Sequence, residues 1–355
     1  MPPAGSHAGV TYNRAGCPDW GGRQEFFLKL IIQIPCFNEA GTLAIALSAL
    51  PRRVQGFDKV EWLVIDDGST DDTVKVALEN GVDHVVRHTR NQGLARGFMN
   101  GLQACLEQGA DVIVNTDADN QYNADDIPLL TQPILDGKAD IVVGARPIQA
   151  IEHFSPVKKL LQKLGSWVVR VASKTNIPDA PSGFRSISRS AARRLVVFSD
   201  YTYTLETIIQ AGQKNMAITS VPIRVNGDLR PSRLVKSMSS YIRRSIVTII
   251  RVFVIYRPFR FFGTIGLALF GAGFLIGLRF LYKWLTSEYG YAGHIQSLIL
   301  SSSLMIIGFH TILVAFVADL LSANRKLLEE IRALSLENRD KDHPQQMKER
   351  ASERT

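Results

Sequence analysis

The chain has 355 residues, 46% hydrophobic and 21% charged, with a formal net charge of +8. That length holds one soluble domain of ordinary size and more, but apolar runs at 261–285 and 295–321, each long enough to span a bilayer, exclude an all-soluble chain. Much of the basic excess lies just before the first run, and no basic stretch is interleaved with aromatics, which points to a membrane surface and away from nucleic acid. Cys17, Cys36 and Cys105 are far apart and imply neither a metal knuckle nor a disulfide framework, which fits a reduced, cytosol-facing domain.

Residues 1–27 are polar and Gly-rich with no apolar core, so they read as a flexible tail and not a signal peptide. Leu28–Ile34 predicts a strand that ends at PCFNE, followed by a helix that stops before Pro51. Trp62–Ile65 predicts a second strand, ending in DDGSTDDT, where Gly68 turns and Ser69 or Thr70 caps the next helix. A short strand at His84–Arg87 leads into HTRNQGLARGFMNGL, with a turn at Asn91 and Gly93 and a helix from Leu94 to Gln108. The apolar run Val112–Val114 predicts a buried strand that drops into Asp117, Ala118, Asp119 and Gln121. A further strand at Asp140–Gly144 ends at Arg146.

Strands alternating with helices of this length imply an α/β fold with a mostly parallel, doubly wound sheet. Right-handed crossovers then gather Asn38, Glu39, Asp67, Asn91, Asp117, Asp119 and Arg146 at one edge. There is no GxGxxG and no GxxxxGK[ST], which disfavours dinucleotide oxidoreductases and P-loop NTPases. Two carboxylates one residue apart at a strand end can share one hard divalent cation, Mg²⁺ or Mn²⁺. An isolated Asp-x-Asp reads more readily as a solvated acidic loop; the other strand-end motifs of the chain favour the metal reading.

Beyond this domain, 155–174 predicts an amphipathic helix carrying Lys158, Lys159 and Lys163, and 177–189 a Pro/Gly-rich loop entering a short strand. Thr202–Gln210 predicts a helix containing Glu206, and Ala217–Arg224 a strand. The helix 234–256, with Arg243, Arg244 and Arg251, directly precedes the first span and reads as interfacial; a solvated helix packed on the domain is the alternative. The first span carries Gly263, Gly266, Gly271, Gly273 and Gly277, small residues that permit close helix approach. Arg257, Arg260, Arg325 and Lys326 flank one side of the pair, which puts both termini in the cytoplasm of a multi-pass inner (plasma) membrane protein. His310 reads as a packing or interhelical hydrogen-bond residue. Apolar Leu327, Leu328, Ile331 and Leu334 suggest a helix over 323–338, with an unstructured polar end beyond it.

In this order PCFNE, VIDDGSTDDT, RNQGLARG, TDADNQY and DAPSGFR resemble glycosyltransferase family 2, with the GT-A fold. The resemblance is to its polyisoprenyl-phosphate glycosyltransferases, the dolichyl-phosphate mannose synthase and GtrB-like enzymes, and covers 28–260. It implies a catalytic domain over 28–230, an interfacial helix over 231–258, a two-helix membrane region over 259–322 and a cytoplasmic helix and tail over 323–355. The implied reaction is inverting transfer of one sugar from a UDP- or GDP-sugar to polyprenyl phosphate, with undecaprenyl phosphate expected, at the cytoplasmic membrane face by a homo-oligomer, a tetramer. A processive polysaccharide synthase is the alternative, disfavoured because QxxRW is missing. A non-catalytic scaffold is the other.

By the resemblance, Pro35, Phe37, Glu39, Asp67, Asn91, Gly93, Asp117 and Ala118 form the nucleotide site. Asp117, Asp119 and Gln121 hold Mg²⁺ or Mn²⁺. Asp179, Arg185, Glu206 and Arg146 face the reaction centre, and Arg146, Arg185, Arg224 and Arg233 meet the lipid phosphate. The GtrB-like branch often carries an Asp where this chain has Gly183, so that residue's role does not carry over. Asp179 reads equally as a loop cap, and Glu206 as an arginine partner.

Overall fold

The structure, a computed structural model, describes residues 27–147, 170, 173, 175–197, 203–227, 247, 250–251, 254–286 and 295–352. The helices expected over 155–174 and 234–256 fall almost wholly outside the described residues, as do the tail 1–26 and Arg233. The chain divides into two compact units, 1–154 with 175–231, and 155–174 with 232–355.

The first unit is built on a seven-stranded sheet. Its strands are β1 (Lys29–Cys36), β2 (Lys59–Asp66), β3 (His84–Arg87), β4 (Val112–Asn115), β5 (Ile141–Ala145), β6 (Arg185–Ser188) and β7 (Ile218–Pro222), in the order β3-β2-β1-β4-β6-β5-β7. All pairings are parallel except those of β6, which runs antiparallel to β4 and β5. The helices are α1 (Ala40–Ala49), α2 (Thr73–Glu79), α3 (Leu94–Glu107), α4 (Ile127–Leu135), α5 (Arg189–Arg194) and α6 (Thr204–Gln213). Helix α4 was not anticipated. Pro128 lies in its first turn, where a missing N–H is harmless, and Pro133 lies inside it.

Alternation in β1 explains the layering. Leu30, Ile32 and Ile34 join one core with Leu43 and Leu47 of α1 and Ile127 and Leu130 of α4. Each such side chain contributes about 1.5–3 kcal/mol on burial. Ile65 faces α3, which approaches so closely that a methyl at Gly101 would lie 2.5 Å from Gln33 and 2.7 Å from Ile65. Phe98, Leu102 and Cys105, at helical spacing, complete that side.

The order places β1 between β2 and β4, so the crevice past the carboxyl ends of β1 and β4 is a topological switch point. Antiparallel β6 enters the sheet from that same edge, pairing Arg185 with Asn115. The SGF turn before it therefore reaches the edge from the opposite direction to the other loops.

The second unit contains α7 (Pro258–Thr286) and α8 (Ile295–Ser352). Both are long and apolar enough to cross a membrane. They pack through small residues. The Ser301 hydroxyl donates to the Gly273 carbonyl at 2.7 Å, and a methyl at Gly273 would lie 2.8 Å from the Ser301 carbonyl. His310 bonds within its own helix, through Nδ1 to the Ile306 carbonyl. The backbone of α8 continues as helix to Ser352, so the unstructured end expected beyond 338 is replaced by helix.

Candidate active site

Asp67, at the end of β2, organises one side of the crevice. Its oxygens accept from the backbone N–H groups of Gln92 and Gly93 at 2.8 Å each and pair with His88 Nδ1 at 2.8 Å. Asn100 lies 2.8 Å from the other imidazole nitrogen. Gly68, at φ 74°, lies so near Arg90 that an added methyl would sit 2.6 Å from its carbonyl carbon, so only glycine fits. Asp67 thus sets the loop that carries Asn91 and Gly93.

Ser69 and Thr70 do not cap α2; the cap position is Asp72. Ser69 Oγ instead accepts from Asn38 N at 2.9 Å, and Thr70 N donates to Asn38 Oδ1 at 2.8 Å. Asn38 has φ 55° and turns the chain between Phe37, which is 40% exposed, and Glu39. These bonds bind the β1 and β2 loops into one rim. Pro35 is half-buried on it.

At the end of β4, Asp117 and Asp119 flank buried Ala118. Asp119 Oδ1 accepts from Gln121 N at 3.2 Å. Burial and the neighbouring Asp119 carboxylate push the Asp117 carboxyl up to about 7, against the pull of Arg146. A methyl on Gly183 would sit 3.2 Å from both Asp117 oxygens, so glycine leaves that carboxylate's flank open. Among the described residues no three His, Cys, Asp or Glu side chains form a ready metal cage. Two carboxylates fit a cation that takes its other ligands from phosphate and water.

The basic residues are engaged more tightly than expected. Arg146 grips buried Asp179 with Nε at 2.7 Å and Nη2 at 3.0 Å, and its backbone N–H adds a third bond at 3.2 Å. The pairing holds the guanidinium cationic, with its pKa raised. Asp179 is therefore an ion-pair partner and not a loop cap.

Arg185 departs furthest from its expected role. It is wholly buried and donates to the Ser182 and Ala180 carbonyls at 2.8 Å each and to Thr207 Oγ1. With its donors turned inward it braces the SGF turn, where a phosphate clamp was expected. Arg224 likewise folds onto buried Asp126, with Nε at 2.9 Å and Nη2 at 2.7 Å, although its side chain remains largely exposed. Glu206 is buried in the first turn of α6.

Two family descriptions match this chain. Glycosyl transferase family 2 matches residues 31–196, and the family 2 C-terminal transmembrane region matches 251–322. The chain belongs to glycosyltransferase family 2. The chain is 29% identical over 219 residues to a UDP-N-acetylglucosamine–dolichyl-phosphate N-acetylglucosaminyltransferase of Methanococcus voltae, covering 55% of this chain and 85% of that one. It is 26% identical over 206 residues to an undecaprenyl-phosphate mannosyltransferase of Micrococcus luteus, covering 55% and 83%. Among solved structures, glucosyl-3-phosphoglycerate synthase of Mycobacterium tuberculosis with phosphoglyceric acid aligns at TM-score 0.49 and 22% identity, over 62% of this chain and 80% of that one.

Several residues that shape this family 2 glycosyltransferase went unnoticed in the sequence. Gln33 Nε2 donates to Asn115 Oδ1 at 2.9 Å, and Asn115 Nδ2 donates to the Gly183 carbonyl at 2.9 Å and to the Tyr203 hydroxyl at 2.8 Å. Tyr203 stacks on Phe98 at 3.8 Å. The Tyr122 hydroxyl accepts from Gly183 N at 3.0 Å. The signal was available: Gln33 is a polar residue inside an otherwise apolar strand, and such a residue needs a partner.

Proposed function

We propose that this glycosyltransferase moves a single sugar from a nucleotide diphosphate sugar to polyprenyl phosphate, with undecaprenyl phosphate as the expected lipid. The observation that carries the reading is the Asp117–Asp119 pair at a strand end, in a chain that continues into two membrane-length helices. The names of the two relatives, one acting on dolichyl phosphate and one on undecaprenyl phosphate, support the acceptor class.

Asp117, Asp119 and Gln121 would hold Mg²⁺ or Mn²⁺. The ion supplies charge neutralisation for the departing diphosphate. The elevated Asp117 carboxyl fits this role, because a neighbouring cation relieves its repulsion from Asp119. Phe37 offers an exposed aromatic face to the nucleobase, and Glu39 stands beside it. Asp67 acts on the nucleotide through the Asn91–Gly93 loop that it fixes.

In the inverting step, the sugar C1–O bond to the diphosphate breaks as a lipid phosphate oxygen bonds C1 from the opposite face. A phosphate monoester is mostly dianionic above its second pKa of about 6, so no proton need be removed. That agrees with an Asp179 whose two oxygens are both taken up by the Arg146 guanidinium. Arg146 stays cationic beside Asp117, where it offsets the charge of the two phosphates. Arg257, Arg260, Arg325 and Lys326 support cytoplasmic termini, and a homo-oligomer is part of the same reading.

The test is transfer of labelled sugar from a panel of UDP- and GDP-sugars to undecaprenyl phosphate by the full chain in detergent. A lipid-linked monosaccharide, formed only with Mg²⁺ or Mn²⁺ and lost in Asp119→Ala, is the expected product. A polymer would move the chain to the processive synthases. No transfer from any donor would overturn the reading.

A further inference from the structure

The connector after β7 is stitched, residue by residue, to the loop that carries the two carboxylates. Arg224 grips Asp126 through its backbone N–H at 2.6 Å as well as its guanidinium, and its carbonyl accepts from Asn123 N at 3.3 Å. Val225 forms an antiparallel bridge with Tyr122. Asn226 N donates to the Gln121 carbonyl at 2.8 Å, and its Nδ2 donates to the Asn120 carbonyl at 3.0 Å and the Tyr122 carbonyl at 3.4 Å. A side-chain amide that meets two carbonyls and a main-chain amide that meets the one between them bind three consecutive peptide groups with one residue.

Those peptide groups are the ones that aim Asp119. Asn120 has φ 56°, the left-handed region that a non-glycine residue adopts at a cost of about 1 kcal/mol. That turn lets the Gln121 N–H fold back onto Asp119 Oδ1 at 3.2 Å. Released from its carbonyl partner, Asn120 would relax toward ordinary helical or extended backbone. The Asp119 oxygen would then lose its fixed direction.

We propose that Asn226 is a positioning residue for the cation: it holds Asn120 left-handed and so keeps the Asp119 carboxylate aligned with Asp117. The proposal rests on the metal reading of Asp117 and Asp119. Asn226 need not touch the ion, and neither the donor nor the lipid need contact it.

The test uses the full-length protein in detergent and Mn²⁺ alone, with unbound Mn²⁺ read by electron paramagnetic resonance. Asn226→Ala should weaken Mn²⁺ binding about tenfold, the usual effect of losing an outer partner of a metal ligand. In the transfer assay it should raise the Mn²⁺ concentration for half-maximal rate, with kcat recovered at saturating Mn²⁺ and KM for lipid phosphate unchanged. Asn120→Gly in the Asn226→Ala background should restore much of the affinity, because glycine takes positive φ without strain. Unchanged Mn²⁺ affinity in Asn226→Ala would overturn the proposal, whatever its melting temperature, and so would a double variant no better than the single one. Equal Mn²⁺ binding by wild type and Asp119→Ala would instead remove the metal reading itself, and this proposal with it.

Discussion

At the scale of single residues, Asp117 is the group whose state the fold disturbs most usefully. Its carboxyl is raised from an ordinary value near 3.8 to about 7, by burial first and Asp119 second. The ionised form is therefore disfavoured in the folded state. Below pH 4 the group is protonated folded or unfolded and nothing is lost; as pH climbs from 4 to 7, stability falls, and above 7 the loss is complete. In EDTA at pH 8, Asp117→Asn should melt above wild type by about 3 °C or more, the shift that ~1 kcal/mol gives in a domain of this size. The gap should close near pH 4, and Mn²⁺ should raise the wild-type melting point alone. An Asn variant that melts no higher at pH 8 would show that the carboxylate carries no such penalty.

Arg185 makes the second residue-scale prediction. Lysine retains the charge but cannot reach two carbonyls and a hydroxyl in three directions. Arg185→Lys should lower the melting temperature by several degrees, the effect of about 2 kcal/mol from unsatisfied buried acceptors. A variant with normal melting and a kcat reduced about a hundredfold would restore the phosphate clamp to Arg185.

At the scale of elements, the α7–α8 pair depends on which glycine faces the partner. Gly273 meets Ser301 and Met305 within 3 Å of where a methyl would stand, whereas Gly271 meets nothing within 4 Å. Only two residues apart, they lie on different sides of the helix. Gly273→Leu should lower the unfolding temperature of the detergent-solubilised protein by several degrees, and Gly271→Leu should leave it within about a degree. Equal effects would mean that the helices do not pack as described.

At the scale of the whole molecule, the alternation of strands and helices was legible because apolar periodicity is a local signal. β1, β3, α3 and the starts of the two membrane-length helices lie within a few residues of where patterning puts them. The direction of β6 was not legible, because nothing in RSIS distinguishes a parallel from an antiparallel neighbour. The positions of Asp67, Asp117 and Asp119 at strand ends were readable; what their oxygens touch was not. Arg146 and Asp179 lie 33 residues apart, and Arg224 and Asp126 98 apart, so each pairing depends on the sheet order. The resemblance drew those arginines toward phosphate, whereas in the fold each grips a buried carboxylate.

The basic helix expected over 234–256 carries Arg243 and Arg244, which lie outside the described residues. Replacing both by glutamate should raise the apparent KM for long-chain lipid phosphate much more than that for nucleotide sugar. An equal change in both would count against a membrane-docking role.

Gly183 has a consequence in the genetic code. Glycine and aspartate codons differ by a single base, so a third carboxylate at this site is one point mutation away. Its Cβ would stand 3.2 Å from both Asp117 oxygens and 3.0 Å from the Tyr203 hydroxyl, with hardly any slack to turn aside. A carboxylate added there would crowd Asp117, whose own carboxyl is already raised by burial and by Asp119, so the extra charge would need Asp117 or Tyr203 to give way.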